Sequence, residues 1–231
     1  MSSSGLPTLT SGQVKEVDSL AQERFGVSVD WLMEAAGWQV ARFCRGRTAV
    51  VCGVGNNAGD GLAAARHLHR WGRLSSVSCV DAGRLHGPAG LELEALRKVG
   101  VLVSADLELD GAEIVVDALF GTGLSRPPDG AFATWIDTIN ASRLRVVSVD
   151  LPSGLDGDTG VAYAPTVRAH TTVTLGLPKP GLLKGDGPSL AGEVWVADIG
   201  VPFEAYAAIG VEVPPHLFTM RDRVQLEAIR L

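Results

Sequence analysis

The 231-residue sequence is 46% hydrophobic and carries a formal charge of −6, enough apolar surface for one α/β domain of generous size. With no basic run, nucleic-acid binding driven by phosphate neutralisation is excluded. No apolar stretch approaches a membrane span, and Met1–Gly5 lacks the charged and apolar regions of a signal peptide, so a soluble cytoplasmic protein is expected.

Thr10-x-x-Gln13 has the form of a capping box and predicts a helix to about Phe25, with Val14, Val17, Leu20 and Ala21 on one face. A second helix is predicted from Val29 to Arg45, its apolar stripe formed by Leu32, Ala36, Val40 and Phe43. Both stripes are expected to pack rather than bind. Thr48–Gly53 is a continuous apolar run of the kind found in buried parallel sheets. A Gly-rich loop, Gly53–Gly61, follows it, then a helix from Leu62 to Trp71. Further strands are predicted at Leu74–Val80, Glu113–Leu119, Arg145–Asp150, His170–Leu175 and Glu193–Asp198, with helices at Pro88–Val99 and Ala131–Ala141. This alternation predicts a single α/β domain with a doubly wound sheet. The tail from Val211 is weakly patterned.

Cys44, Cys52 and Cys79 have no CxxC spacing and are expected as reduced core thiols, not a zinc or redox site. The five histidines show no metal spacing, and His67 and His69 are expected to face solvent. There is no serine-hydrolase elbow and no Walker lysine.

Three strands end in polar, turn-forming sequence, each with a carboxylate at or just beyond the strand. In an open α/β sheet such ends converge on one cleft. Gly53-x-Gly55-x-x-Ala58, with Asp81 beyond it, fits a dinucleotide fingerprint and keeps a dinucleotide-dependent oxidoreductase open. Against that reading, Asp60 puts a carboxylate where a pyrophosphate would lie, unless it caps the next helix; Asn56 and Asn57 add side-chain contacts. The Gly121–Pro127 loop offers bare amides and Arg126, which suit a phosphate. In Asp150-Leu-Pro-Ser-Gly154, Pro152 fixes the turn and Ser153 presents a hydroxyl.

The segment Gly55-Asn-Asn-Ala-Gly-Asp-Gly61 resembles the GNNGGDG signature of the YjeF N-terminal domain, the NAD(P)HX epimerase family. Leu32–Gly37, Val116–Gly121, Ser148–Gly154 and Thr172–Leu182 continue the resemblance in family order, over roughly residues 10 to 202. Ala58 and Ala35 depart from the family's Gly and Asn. The resemblance implies a three-layer α/β/α, Rossmann-like sandwich around a mostly parallel sheet. It also implies interconversion of the R and S epimers of hydrated NADH and NADPH. Substrate contacts are then expected at Asn56, Asn57, Ala58, Gly59 and Asp60, at Gly121, Thr122, Gly123, Leu124, Ser125, Arg126 and Pro127, and at Asp150. A potassium ion (K+) is expected at Asn57, Asp117 and Ser153, whose oxygen ligands suit a hard, weakly charged cation.

The reacting carbon of such a substrate bears a hydroxyl and a ring nitrogen. Loss of hydroxyl to a nitrogen-stabilised cation, followed by water addition on the other face, is the favoured route. Asp150 is the first catalytic candidate, Lys179 a candidate acid and Asp60 a second polar partner. Relatives are often homodimers, and an NAD(P)HX dehydratase is the expected functional partner. A non-catalytic nucleotide- or protein-binding module is the alternative.

Overall fold

The structure is a computed structural model that describes residues 5–226; the first four residues, part of the stretch read for a signal peptide, lie outside it. In chain order it contains α1 (Ser11–Glu23), α2 (Val29–Ala41), β1 (Thr48–Cys52), α3 (Asn56–Arg70), β2 (Leu74–Cys79), α4 (Gly87–Lys98) and β3 (Ile114–Ala118). Then follow α5 (Gly130–Ser142), β4 (Arg145–Val149), β5 (Thr171–Leu175), α6 (Gly187–Leu190), β6 (Glu193–Ala197), α7 (Phe203–Ala208) and β7 (Arg223–Gln225).

The strands form one sheet in the order β2-β1-β3-β4-β5-β6-β7, parallel except for the edge strand β7. Buried strands alternate their side chains between two apolar layers. Val50, Cys52, Val116 and Val147 pack with α2, α3 and α4 residues on one face. Val51, Val115 and Val146 pack with Trp135, Ile136 and Ile139 of α5 on the other. Burying both faces explains why these strands read as unbroken apolar runs, and it makes the domain the expected three-layer sandwich.

The capping box at Thr10 is present: its hydroxyl accepts from Gln13 N, and Gln13 Oε1 accepts from Thr10 N at 3.0 Å. The three cysteines are buried and unpaired, as expected, and burial pushes the Cys44 thiol up to about 12. No helix among the described residues is long and apolar enough to cross a membrane.

Three expectations are corrected. α3 begins at Asn56, not Leu62, so most of the predicted loop is helix. Its glycines permit close packing: a Cβ on Gly61 would lie 2.5 Å from the Ala118 Cβ, and one on Gly59 would lie 2.5 Å from Met33 Sδ. Tertiary contact overrides the poor helix propensity of Asn and Gly here. His67 is buried, its ring edge-on to Trp38 at 5.2 Å and its Nε2 3.0 Å from Glu34 Oε1, whereas His69 is exposed. The tail adds β7, a three-residue edge strand too short to leave a periodic signal.

Candidate active site

The chain runs from β1 outward to β2 and then returns to the other side of β1 as β3, so strand order switches between β1 and β3. A cavity of about 490 Å³ opens there, outside the carboxyl ends of the strands. Asn56, Asn57 and Asp60 enter it from the start of α3; Gly121–Leu124 follow β3; Asp150 ends β4; Leu175 and Lys179 follow β5. α1, α2 and the segment around α7 supply the remaining wall, with Val14, Val17, Leu32, Val201 and Tyr206. Several residues expected only to pack therefore also line the cavity.

Asp150 and Lys179 form the buried centre of the site, 7% and 1% exposed. Asp150 takes a left-handed backbone conformation, φ +66°, which Asp tolerates better than most residues. Its Oδ1 accepts from Lys179 Nζ at 2.5 Å, Leu175 N at 3.1 Å and the Thr174 hydroxyl at 3.2 Å. Lys179 Nζ also donates to Leu175 O at 2.9 Å and approaches Thr174 Oγ1 at 3.5 Å. An ammonium has three protons, and here three acceptors surround it.

Asp60 lies in the second turn of α3, because the N-cap position falls at Gly55; it therefore does not cap that helix. Its carboxyl touches the cavity yet is set deep in the wall. Burial is the largest effect pushing its pKa well above the carboxylate range, helped by Asp150 and Asp18 and opposed by Lys179. Asp18, half-buried on α1, was not singled out from sequence. Burial and Asp150 push its carboxyl up to about 6, against Lys179. The only sequence mark of Asp18 is a place beside Val17 on the helix face that also carries Val14, which does not set it apart from the other charges of α1.

Asp117 is fully buried behind the cavity. Its Oδ1 accepts from Ser153 Oγ at 2.5 Å and Leu119 N at 3.4 Å, and its Oδ2 from Ser148 Oγ at 2.8 Å and Ser153 N at 2.9 Å. All these donors are neutral, and burial pushes its carboxyl up. Ser153 Oγ lies 3.4 Å from Phe120 O. Asn57 Nδ2 is buried without a partner.

Other expected contacts lie elsewhere. Ala58 and Gly59 are buried between α3 and its neighbours, and neither Ala58 nor the half-buried Ala35 lines the cavity. Ser125, Arg126 and Pro127 are exposed beyond the lining, with Arg126 Nη2 3.9 Å from Asp129 Oδ2. Asp81 caps a short 3₁₀ turn, accepting from Gly83 N at 3.1 Å, and lies outside the cavity.

The profile of the YjeF-related protein N-terminus matches residues 29–181. The chain belongs to this family. It is 36% identical to an NAD(P)H-hydrate epimerase of Rhodopirellula baltica, over 86% of this chain and 86% of that protein. It is 44% identical to a bifunctional NAD(P)H-hydrate repair enzyme of Thermofilum pendens, but spans only 39% of that enzyme. The crystal structure of yeast ynu0, YNL200c, superposes with a TM-score of 0.82 at 26% identity, covering 96% of this chain and 100% of that one. The profile omits α1, α6, β6, α7 and β7, although α1 and α7 help to build the cavity.

Proposed function

We propose that this chain is an NAD(P)H-hydrate epimerase, an isomerase that interconverts the R and S forms of hydrated NADH and NADPH. Family membership supports this reading, and one observation of the cavity carries it. Three carboxyls, Asp18, Asp60 and Asp150, share the lining with the buried Lys179. With Lys179 engaged by Asp150, such a lining leaves a pyrophosphate little to bind there and offers carboxyl oxygens to developing positive charge. We therefore read the hydrated nicotinamide ring as the part that enters, with the phosphates toward the rim and the loop that carries Arg126. A dinucleotide-dependent oxidoreductase fits less well, because Asp81 is engaged elsewhere and Asp60 lies inside the cavity.

Asp150 stabilises the cation left when the hydroxyl departs. Lys179 has its donors engaged, so it serves to position Asp150 and offset its charge rather than to protonate substrate. The apolar wall limits bulk water near the cation. Proton movement falls to the other carboxyls.

Residues for a potassium ion fit on chemical grounds. A fully buried carboxylate with only neutral partners lacks a countercharge. Asp117, Ser153 Oγ and Phe120 O supply oxygen around it. Asn57, whose buried Nδ2 has no partner, loses no hydrogen bond if its amide is turned to offer oxygen instead. The ion would tie together the segments after β1, β3 and β4 and provide positive charge near an anionic substrate. Exchanging potassium for choline is expected to lower the melting temperature by about 2 °C or more, and Asp117→Asn to remove the difference. Equal melting curves in both salts would remove the ion from the account.

A cytoplasmic location, a homodimer and functional pairing with an NAD(P)HX dehydratase belong to the same reading. Trp31, 66% exposed on α2, suits a contact between copies. The activity is tested by supplying R-NADHX with excess S-specific dehydratase. NADH is expected to return at a rate proportional to added chain; return at the spontaneous rate would reject the epimerase and favour the non-catalytic module.

A further inference from the structure

A reaction that loses a hydroxide and regains water needs one group to give a proton and another to take one. The Lys179 ammonium is surrounded by acceptors, and Asp150, held through Oδ1 as its ion-pair partner, is the charge assigned to the cation, so two further groups are wanted for the protons. Asp60 and Asp18 line the same cavity, and neither side chain makes a hydrogen bond or ion pair among the described residues.

Among the described residues, the Asp18 carboxyl has no structural partner on its helix. It sits in mid-α1, beyond the reach of the Thr10 cap, where Asp is a poor helix former. Its neighbours Val14 and Val17 are apolar and line the cavity with it. Lys15, three residues earlier, forms no salt bridge with it among the described residues. Neither capping nor ion pairing accounts for the carboxyl, whereas its place in the wall beside Asp60, Asp150, Lys179 and Tyr206 does.

Resting on the epimerase reading, we propose that Asp18 is a catalytic residue that accepts the proton of the incoming water, opposite Asp60 as the donor to the departing hydroxyl. Asp60 gives its proton as the carbon–oxygen bond breaks, and the ring-nitrogen lone pair forms the carbon–nitrogen double bond. One water leaves. A second water adds to the other face, the double-bond pair returns to nitrogen, and Asp18 takes the released proton. The protein ends with as many protons as it began, now on Asp18, which is the state needed for the reverse conversion. The environments of the two acids differ in the required sense: burial pushes Asp60 well above the ordinary carboxylate range, whereas Asp18 rises only to about 6, so Asp60 is the better proton donor of the pair and Asp18 the better acceptor.

The charged or titratable groups facing Asp18 are Asp60 and Tyr206 on α3 and α7, Asp150 and Lys179 after β4 and β5, and Lys15 on its own helix. The test is the pH profile of epimerisation for wild type, Asp18→Asn and Asp18→Glu. Wild type should lose rate as pH falls through about 6, where Asp18 becomes protonated. Asp18→Asn should lower kcat about 100-fold or more, leave KM within a few-fold and abolish that acid limb. Asp18→Glu should keep the limb with a smaller loss, a rescue that a packing role would not give. An active wild type with Asp18→Asn near its rate, acid limb intact, would overturn the proposal alone. A wild type without activity would overturn the epimerase reading and this inference with it.

Discussion

Asp150→Asn should lower kcat for epimerisation by about 100- to 1,000-fold, the scale for removing an electrostatic group aimed at transition-state charge. Asparagine preserves size and tolerates the φ of +66° at this position, so the backbone turn should survive. What is lost is the negative charge beside the cation. The change also leaves the Lys179 ammonium buried with neutral partners only, 1% exposed. Breaking a buried pair from one side costs about 3–5 kcal/mol, so the variant should also melt early. The two effects separate in Asp150→Asn/Lys179→Met: an apolar side chain removes the stranded charge and restores much of the stability, while activity stays absent. A folded Asp150→Asn protein within about threefold of wild type would contradict the role given to this carboxylate.

The second large effect concerns the backbone that holds the site together. Gly53 ends β1 and donates to Ala118 O at 3.0 Å. A Cβ there would stand 2.1 Å from Leu119 O, a backbone atom at the end of β3 that cannot swing aside as a side chain would. Gly53→Ala must therefore pry apart the two strand ends at the switch point. We expect a loss of about 3 kcal/mol, the upper end for overpacking, read as a lowered urea midpoint at unchanged slope. Activity should fall too, since the segments carrying Asn57 and Gly121 hang from these ends. Gly123→Ala is the control: nothing lies within 4 Å of its added Cβ, and stability should change by no more than about 0.5 kcal/mol. Equal midpoints for the two variants would show that the β1–β3 contact is not tight.

Much of this architecture is legible in the residues. Continuous apolar runs mark β1 and β3 because both faces of the sheet are covered, and the carboxylates at their ends mark the side on which the cavity opens. Local chemistry misleads where tertiary packing decides. Asn56 to Gly59 read as a loop, yet Gly59 and Gly61 let α3 lie close to Met33 and Ala118, and that contact draws the helix back to Asn56. The same shift turns Ala58 into the core and moves Asp60 from a cap to the cavity wall. His67 reads as exposed on a polar helix end, but Trp38 covers it from α2. Lys179 between two prolines carries no sign of burial; only the return of the chain after β5 brings it onto Asp150. Asp18 is missed for a different reason. It lies on a helix far in sequence from the glycine-rich segments and looks like ordinary surface charge until the cavity shows what it faces.

The most direct test follows the epimers themselves. Purified R-NADHX, incubated with the chain alone, is resolved chromatographically over time for wild type and Asp150→Asn at equal concentration. Wild type should drive the mixture to its equilibrium ratio at a rate proportional to protein, while Asp150→Asn should stay close to buffer alone. Wild type indistinguishable from buffer, or both proteins equally fast, would contradict an epimerase centred on Asp150.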